Sequence, residues 1–202
     1  MIRFMCQLFE TIKIIGGESR NLSLHDERMN RSRRELFGSN DLLKLSDYIT
    51  VPDPDNDSVT RCRVIYGISV NSIEFSPYIP ANIKTLKIVD AGTLEYNYKF
   101  LDRSRLNALI DKKAADDILI IRNGCVTDVS YANIVFTDGE RWITPDTPLL
   151  QGTMRELLLR NGVIKTERIT IDDLSLFTHF RLINAMLGFD APILPVSNII
   201  LK

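Results

Sequence analysis

Hydrophobic and polar positions alternate with different periods along this chain, and each change of period marks an expected element. Residues 2–15, IRFMCQLFETIKII, are rich in β-branched and aromatic side chains, and Gly16-Gly17 offers the positive φ angles of a tight turn, so a hairpin is expected. Helical spacing follows. In HDERMNRSRRELF, Met29, Leu36 and Phe37 fall toward one side; Ser23 is placed to cap a start near His25, and Gly38 to end the helix. DLLKLSDYI reads as a second short helix, and VPDPDNDS as an exposed loop. Three strand-like runs come next: VTRCRVIYGIS, NSIEFSPY and NIKTLKIVDA.

SPYIPAN carries two prolines close together, which interrupt helix and strand alike, so a boundary is expected there: a small domain over residues 1–78 and a larger one over 79–202. From Asp102 the spacing turns helical, with Leu106, Leu109 and Ile110 opposite Lys112-Lys113. DILIIRNG and CVTDVSYANIVF read as two antiparallel strands joined at Asn123-Gly124, and Asp138-Gly139 turns the chain again before RWITP. GTMRELLLRN, with Met154, Leu157 and Leu158 on its apolar side, predicts a helix that Gly162 closes. VIKTERIT is a strand, Thr170 caps a short helix at IDDLSLF, and HFRLINAML and APILPVSNIIL close the sheet. The class is therefore α+β, with a β-rich second domain.

Composition narrows this picture. At 202 residues, 45% hydrophobic, the chain can bury real cores in one large or two small domains. A net charge of −1 with both signs interspersed leaves no electrostatic footprint for nucleic acid or an anionic membrane. Cys6, Cys62 and Cys125 are odd in number, far apart and set in apolar segments, which points to reduced packing residues in a cytoplasmic protein and not to a metal site. Gln7, Glu10 and Lys13 interrupt the apolar N-terminal stretch and no small-residue cleavage site follows, so no signal peptide is expected. No run is long enough to span a bilayer.

Three features suggest chemistry. Lys99 sits between Tyr98 and Phe100, where an amine can be desolvated; Asp128 interrupts an apolar strand pair; and Gly152-Thr153 opens a helix. An activatable amine, a buried acid and a helix N-terminus are what pyridoxal 5′-phosphate asks of a protein. Each also has an ordinary reading: a surface lysine, a turn-forming aspartate, and a helix start capped by Thr153. Arg28, three residues after His25, would by itself be a solvated charge on a polar helix face.

Taken together in this order, His25-x-x-Arg28, Lys99, Asp128, Gly152-Thr153 and Asn184-Ala185 in RLINAMLGF resemble the class IV aminotransferase family, the fold-type IV pyridoxal-phosphate enzymes that include D-amino-acid aminotransferase. Within it the chain looks most like the 4-amino-4-deoxychorismate lyases. The resemblance implies a small N-terminal α/β sandwich, a larger β-rich domain, the cofactor between them, and a homodimer acting on a small amino substrate. It implies Lys99 as the Schiff-base lysine and acid/base, with Asp128 beside the pyridine nitrogen. Arg28, Gly152, Thr153, Asn184 and Ala185 would lie around the phosphate.

Thr11, in FETIK, matches the threonine that assists proton transfer in the lyases, where transaminases of the fold usually carry other residues. The chain departs from the family in three places. Aspartate stands at 128 where glutamate is usual, leaving a direct, shifted or water-bridged contact open. Little chain precedes the Thr11 strand. The segment that often binds substrate carboxylates is not recognisable in YGISVNSIEFSPY, so Arg61, Arg63 and Arg103 are all candidates. The leading expectation is a lyase forming 4-aminobenzoate and pyruvate in folate biosynthesis. The alternatives are a branched-chain or D-amino-acid transaminase and a non-catalytic relative that binds the cofactor.

Overall fold

A computed structural model describes residues 6–52 and 58–200, so the start of the first expected strand and most of the VPDPDNDS loop lie outside the described residues. The chain divides into two compact units, Met1–Ile79 with Tyr98–Asp102, and Pro80–Asn97 with Arg103–Lys202.

In the first unit, strands β1 (Leu8–Ile15), β2 (Glu18–Ser19), β3 (Thr60–Tyr66) and β4 (Val70–Pro77) form an antiparallel sheet in the order β2-β1-β3-β4. Gly16 and Gly17, at φ 59° and 76°, turn β1 into β2. Helix α1 (Leu22–Phe37) covers one face, and Leu8, Ile12, Ile14, Met29, Leu45, Cys62, Val64 and Tyr66 make the core. The helix starts earlier than Ser23 suggests. Asn21 takes the left-handed conformation at its N-terminus, which asparagine tolerates, and Ser23 lies inside the first turn. Gly38, at φ 72°, closes the helix by donating its N–H to the Arg34 carbonyl.

DLLKLSDYI forms no α-helix, only a 3₁₀ turn at Leu45–Asp47. Side chains of α1 satisfy its backbone one group at a time. Asn30 accepts from the Leu43 N–H at 3.0 Å and donates to its carbonyl at 2.8 Å, Asp26 accepts from the Leu45 N–H at 2.8 Å, and Arg33 donates to the Asp41 carbonyl at 2.8 Å. With those groups paired, a helix brings nothing further.

The Lys99 segment belongs to this first unit, which differs from a division at residues 78 and 79. Leu8 and Phe100 form an antiparallel bridge, the Phe9 N–H donates to the Lys99 carbonyl at 3.0 Å, and the Leu101 N–H donates to the Gln7 carbonyl at 2.8 Å. The segment thus extends the sheet edge beside β1, while the first change of unit, between Ile79 and Pro80, falls within SPYIPAN.

The second unit holds β5 (Leu86–Asp90), β6 (Asp117–Arg122), β7 (Cys125–Val129), β8 (Asn133–Thr137), β9 (Trp142–Pro145), β10 (Lys165–Glu167), β11 (His179–Ile183), β12 (Leu194–Pro195) and β13 (Ile199–Ile200). The order is β10-β9-β8-β7-β6-β5-β13, with β11 on β8 and β12 on β11. Asn123 and Gly124, both at positive φ, make the β6–β7 turn. CVTDVSYANIVF proves to be two strands, β7 and β8, because the Val129 N–H donates to the Ala132 carbonyl and folds the chain back, setting Asp128 opposite Asn133.

Helix α2 (Ser104–Asn107) is a single turn, shorter than the spacing from Asp102 suggests. Asp111 accepts from the Lys113 N–H at 3.0 Å, an Asx turn that competes with helical bonding, and Leu109 and Ile110 are only half-buried, so little packing carries the helix further. IDDLSLF likewise forms a 3₁₀ turn, Asp172–Leu176; there the Thr170 N–H and hydroxyl both donate to Asp173. Helix α3 (Thr153–Arg160) packs Met154 and Leu158 against Val135, Ile164 and Ile183.

Candidate active site

In the first unit the two faces of β1 carry different chemistry, because side chains alternate along a strand. Toward α1 point Leu8, Ile12 and Ile14, and among them Glu10, which is fully buried. Glu10 accepts from Arg28 Nε at 2.9 Å and from Arg28 Nη2, and it faces His25 Nδ1 at 2.6 Å. Burial by itself would raise the Glu10 carboxyl, but the Arg28 charge and the His25 hydrogen bond outweigh it and hold it at about 2. Burial lowers His25, helped by the Arg28 and Lys99 charges against the pull of Glu10, so its neutral ring donates Nδ1–H to the carboxylate. Arg28 therefore directs two of its nitrogens to a buried acid that the sequence reading did not single out. The signal was present: Glu10 shares the period-two face of Leu8, Ile12 and Ile14.

On the other face lie Phe9 and Thr11. Lys99 Nζ stands 4.6 Å from the Phe9 ring centroid, and the Arg63 guanidinium is also 4.6 Å from it. Arg63 is the cross-strand partner of Thr11. The aromatic contact of the Lys99 amine is thus Phe9, while its sequence neighbours Tyr98 and Phe100 pack against the core of the unit.

In the second unit Asp128, 4% exposed, accepts from Asn133 Nδ2 at 2.7 Å and from the Leu150 N–H at 2.9 Å. Burial raises its carboxyl to about 6 against those two hydrogen bonds, the Arg155 charge and the Leu149 backbone N–H, since the direct donors are neutral. Asn133 Nδ2 also donates to the Leu150 carbonyl at 2.9 Å, so this one amide ties Asp128 to the chain entering α3. Nothing in the sequence pattern marks Asn133. Its importance comes from its place directly after the β7–β8 turn.

The same asparagine explains Gly152. A Cβ there would lie 2.0 Å from Asn133 Oδ1, and Asn133 cannot swing away without giving up Asp128 and Leu150. Gly152→Ala is expected to cost about 1–3 kcal/mol through overpacking, read as a lower urea midpoint; an unchanged midpoint would show that the asparagine moves freely. Thr153, 3% exposed, begins α3, whose first ladder bond runs from the Glu156 N–H to the Gly152 carbonyl. The N–H groups of the first turn lie outside that ladder, at the positive end of the helix dipole.

Asn184 follows β11. Its Oδ1 accepts from the Met186 and Leu187 N–H groups at 2.8 and 2.9 Å, and its Nδ2 donates to the Tyr131 carbonyl at 3.3 Å. The side chain therefore shapes the loop that carries Ala185, beside the strand that begins with Asn133. Among the described residues no cluster suited to a metal ion occurs, and no helix is long and apolar enough to cross a membrane.

Comparison with known proteins places this geometry. Residues 7–199 match the amino-transferase class IV family. A protein from Haemophilus influenzae with no described function is 40% identical over 187 residues, 91% of this chain and all of its own. A crystal structure from Haemophilus somnus named a "putative 4-amino-4-deoxychorismate lyase" is 36% identical with a TM-score of 0.85, covering 92% of this chain and 99% of that one. A Mycobacterium tuberculosis structure named "a hypothetical aminotransferase", in its PLP-bound form, is 18% identical and shares the fold with a TM-score of 0.69 over 93% of this chain and 80% of its own. The chain belongs to the class IV aminotransferase family, with the fold-type IV architecture of its pyridoxal 5′-phosphate-dependent enzymes.

Proposed function

We propose that this enzyme is a lyase that converts 4-amino-4-deoxychorismate to 4-aminobenzoate and pyruvate. The observation that carries the reading is the Phe9 face of β1, where Lys99 Nζ lies over the ring and Thr11 follows two residues along the same side. The lyase name borne by the 36% identical Haemophilus somnus protein supports it.

The residues suit the cofactor. Asp128 is a buried carboxylate with two neutral donors and acceptor capacity to spare, and a pyridinium N–H would supply the cation that burial demands. The first turn of α3 presents unladdered N–H groups to a phosphate, with Gly152 and Thr153 at its start and the Asn184-Ala185 loop as a second contact. When bound, pyridoxal 5′-phosphate supplies an electron sink conjugated to the substrate amine. Asp128 would hold the pyridine nitrogen in its charged form.

Lys99, its backbone fixed to Phe9, takes the proton from the amine-bearing ring carbon. Thr11 holds that proton's path on the same face. The ether C–O bond then breaks, and the enolpyruvyl group receives a proton on its methylene carbon and leaves as pyruvate. Substrate atoms are all accounted for in the two products, without water or a second substrate, and aromatisation of the ring drives the step. Carried over from the family, the enzyme would work as a homodimer in folate biosynthesis. Three free cysteines suit a reducing cytoplasm.

The test is to load the protein with pyridoxal 5′-phosphate and follow pyruvate from 4-amino-4-deoxychorismate with no keto acid present. Pyruvate and 4-aminobenzoate should form in equal amounts. No pyruvate, with amino-group exchange from a D- or branched-chain amino acid, would replace the lyase by a transaminase. A protein that takes up no cofactor would overturn both enzyme readings.

A further inference from the structure

Arg155, in the first turn of α3, is 7% exposed. Its Nη2 donates to the Pro145 carbonyl at the end of β9 at 2.9 Å, and its Nε is buried with no hydrogen-bond partner among the described residues. A guanidinium so far from water is costly unless a carboxylate shares its surroundings. Among the described residues three carboxylates act on it: Asp128, Glu156 and Asp146. Asp146 is exposed, and Glu156, half-buried, accepts from Arg160 Nε at 2.8 Å. Of the three, Asp128 is the one withdrawn from solvent. Screening therefore weakens the first two and leaves Asp128 as the effective counter-charge.

Among the described residues no direct bond joins the two side chains. Asp128 accepts from Asn133 Nδ2 and the Leu150 N–H, while Arg155 is anchored on Pro145. This separation has a chemical use. A guanidinium bonded to the carboxylate would fill the lone pairs that a ligand N–H requires, whereas one held on a backbone carbonyl supplies positive charge and leaves them open. Burial favours the neutral acid and neutral donors counter it only in part, so a fixed charge nearby governs how readily Asp128 ionises.

We propose that Arg155 is a positioning residue that acts through Asp128: its fixed charge keeps the buried carboxylate ionised and open to a protonated ring nitrogen. Asn133 sets the direction of the oxygens, and Arg155 sets their charge. The inference rests on the cofactor reading for the use of that carboxylate, but not for the relation between the two side chains.

The experiment titrates the full chain without cofactor by NMR, isotope-labelled at the aspartate carboxyl carbons, with the Asp128 signal identified by its loss in Asp128→Asn. Wild type should titrate at about 6. Arg155→Gln, which keeps a donor for Pro145 but no charge, should raise the midpoint by about one unit or more, the effect of removing an opposite charge beside a carboxyl. Arg155→Lys should stay near wild type, and Arg160→Gln, which removes an exposed cation of the same helix, should leave the midpoint unchanged. A midpoint unmoved in Arg155→Gln, or moved as far by Arg160→Gln, would overturn the assignment. If Arg155→Gln does not fold, its combination with Asp128→Asn decides: with both charges gone, a cooperative urea transition should return at mildly alkaline pH. A double variant no more stable than the single one would overturn the proposal. In the loaded protein at neutral pH, an isotope-labelled ring nitrogen should be protonated in wild type and lose protonation in Arg155→Gln; equal protonation would remove Arg155 from its assigned role. Failure of the protein to take up cofactor would count against the cofactor reading alone, since the carboxyl titration involves none.

Discussion

On the proposed lyase reading, Lys99→Ala is expected to lower pyruvate release by about 10³-fold or more, because one side chain would serve both as cofactor anchor and as the base at the reacting carbon. The backbone at this position is held independently of the side chain, through the Phe9 N–H to Lys99 carbonyl bond and the Leu8–Phe100 bridge. Truncation beyond Cβ should therefore leave the sheet edge intact and the urea midpoint within about 1 kcal/mol of wild type, as for most substitutions outside a packed core. Borohydride treatment followed by peptide mass mapping supplies the second readout: wild type should gain a covalent cofactor adduct at Lys99 and the variant none. Turnover within tenfold of wild type, or an adduct mapping to another lysine, would remove Lys99 from its assigned role.

The largest effect on stability should come from Glu10. Glu10→Ala removes the buried carboxylate that both the Arg28 guanidinium, 6% exposed, and His25 Nδ1 bond. Breaking a buried pair from one side costs about 3–5 kcal/mol, which urea denaturation at pH 7 would read directly. The pH dependence has a definite sign. Glu10 ionises at about 2 in the folded chain, below its ordinary value of 4.5, so the folded state favours the carboxylate. Its contribution is fully present above the unfolded value and disappears as the pH falls from about 4.5 through about 2. Glu10→Gln should flatten the stability profile across that window. An unchanged slope there would mean that the acid sensitivity resides in other carboxylates.

The two predictions separate two kinds of residue on one short strand. Thr11 and Phe9 face Lys99 and Arg63, while Glu10 faces α1, and a one-residue slip of register would exchange these faces. Leu8, Ile12 and Ile14 prevent that slip, since all three lie in the core. The chemistry on one side of β1 is thus held in place by hydrophobic packing on the other.

The sequence alone determined what local backbone preference and period can determine. Gly16-Gly17 and Asn123-Gly124 announce turns because few residues accept positive φ; Gly38 and Gly162 end helices for the same reason; and alternation in LFETIKII and the short apolar run in DILIIR mark strands. The ordered set from His25-x-x-Arg28 to Asn184-Ala185 was enough to point to the family that the comparisons show. Tertiary structure decided whatever depends on distant partners. DLLKLSDYI and the stretch after Asn107 have helical spacing, yet short helices are marginal in water, and side chains from α1 in the first case and Asp111 in the second offer their backbones better bonds. Placement of the Lys99 segment beside β1, the burial of Glu10 against Arg28, and the amide of Asn133 joining Asp128 to the neighbourhood of Gly152 all arise from groups far apart in the chain. No local period encodes such pairings. They follow from which polar groups the folded core leaves needing a partner.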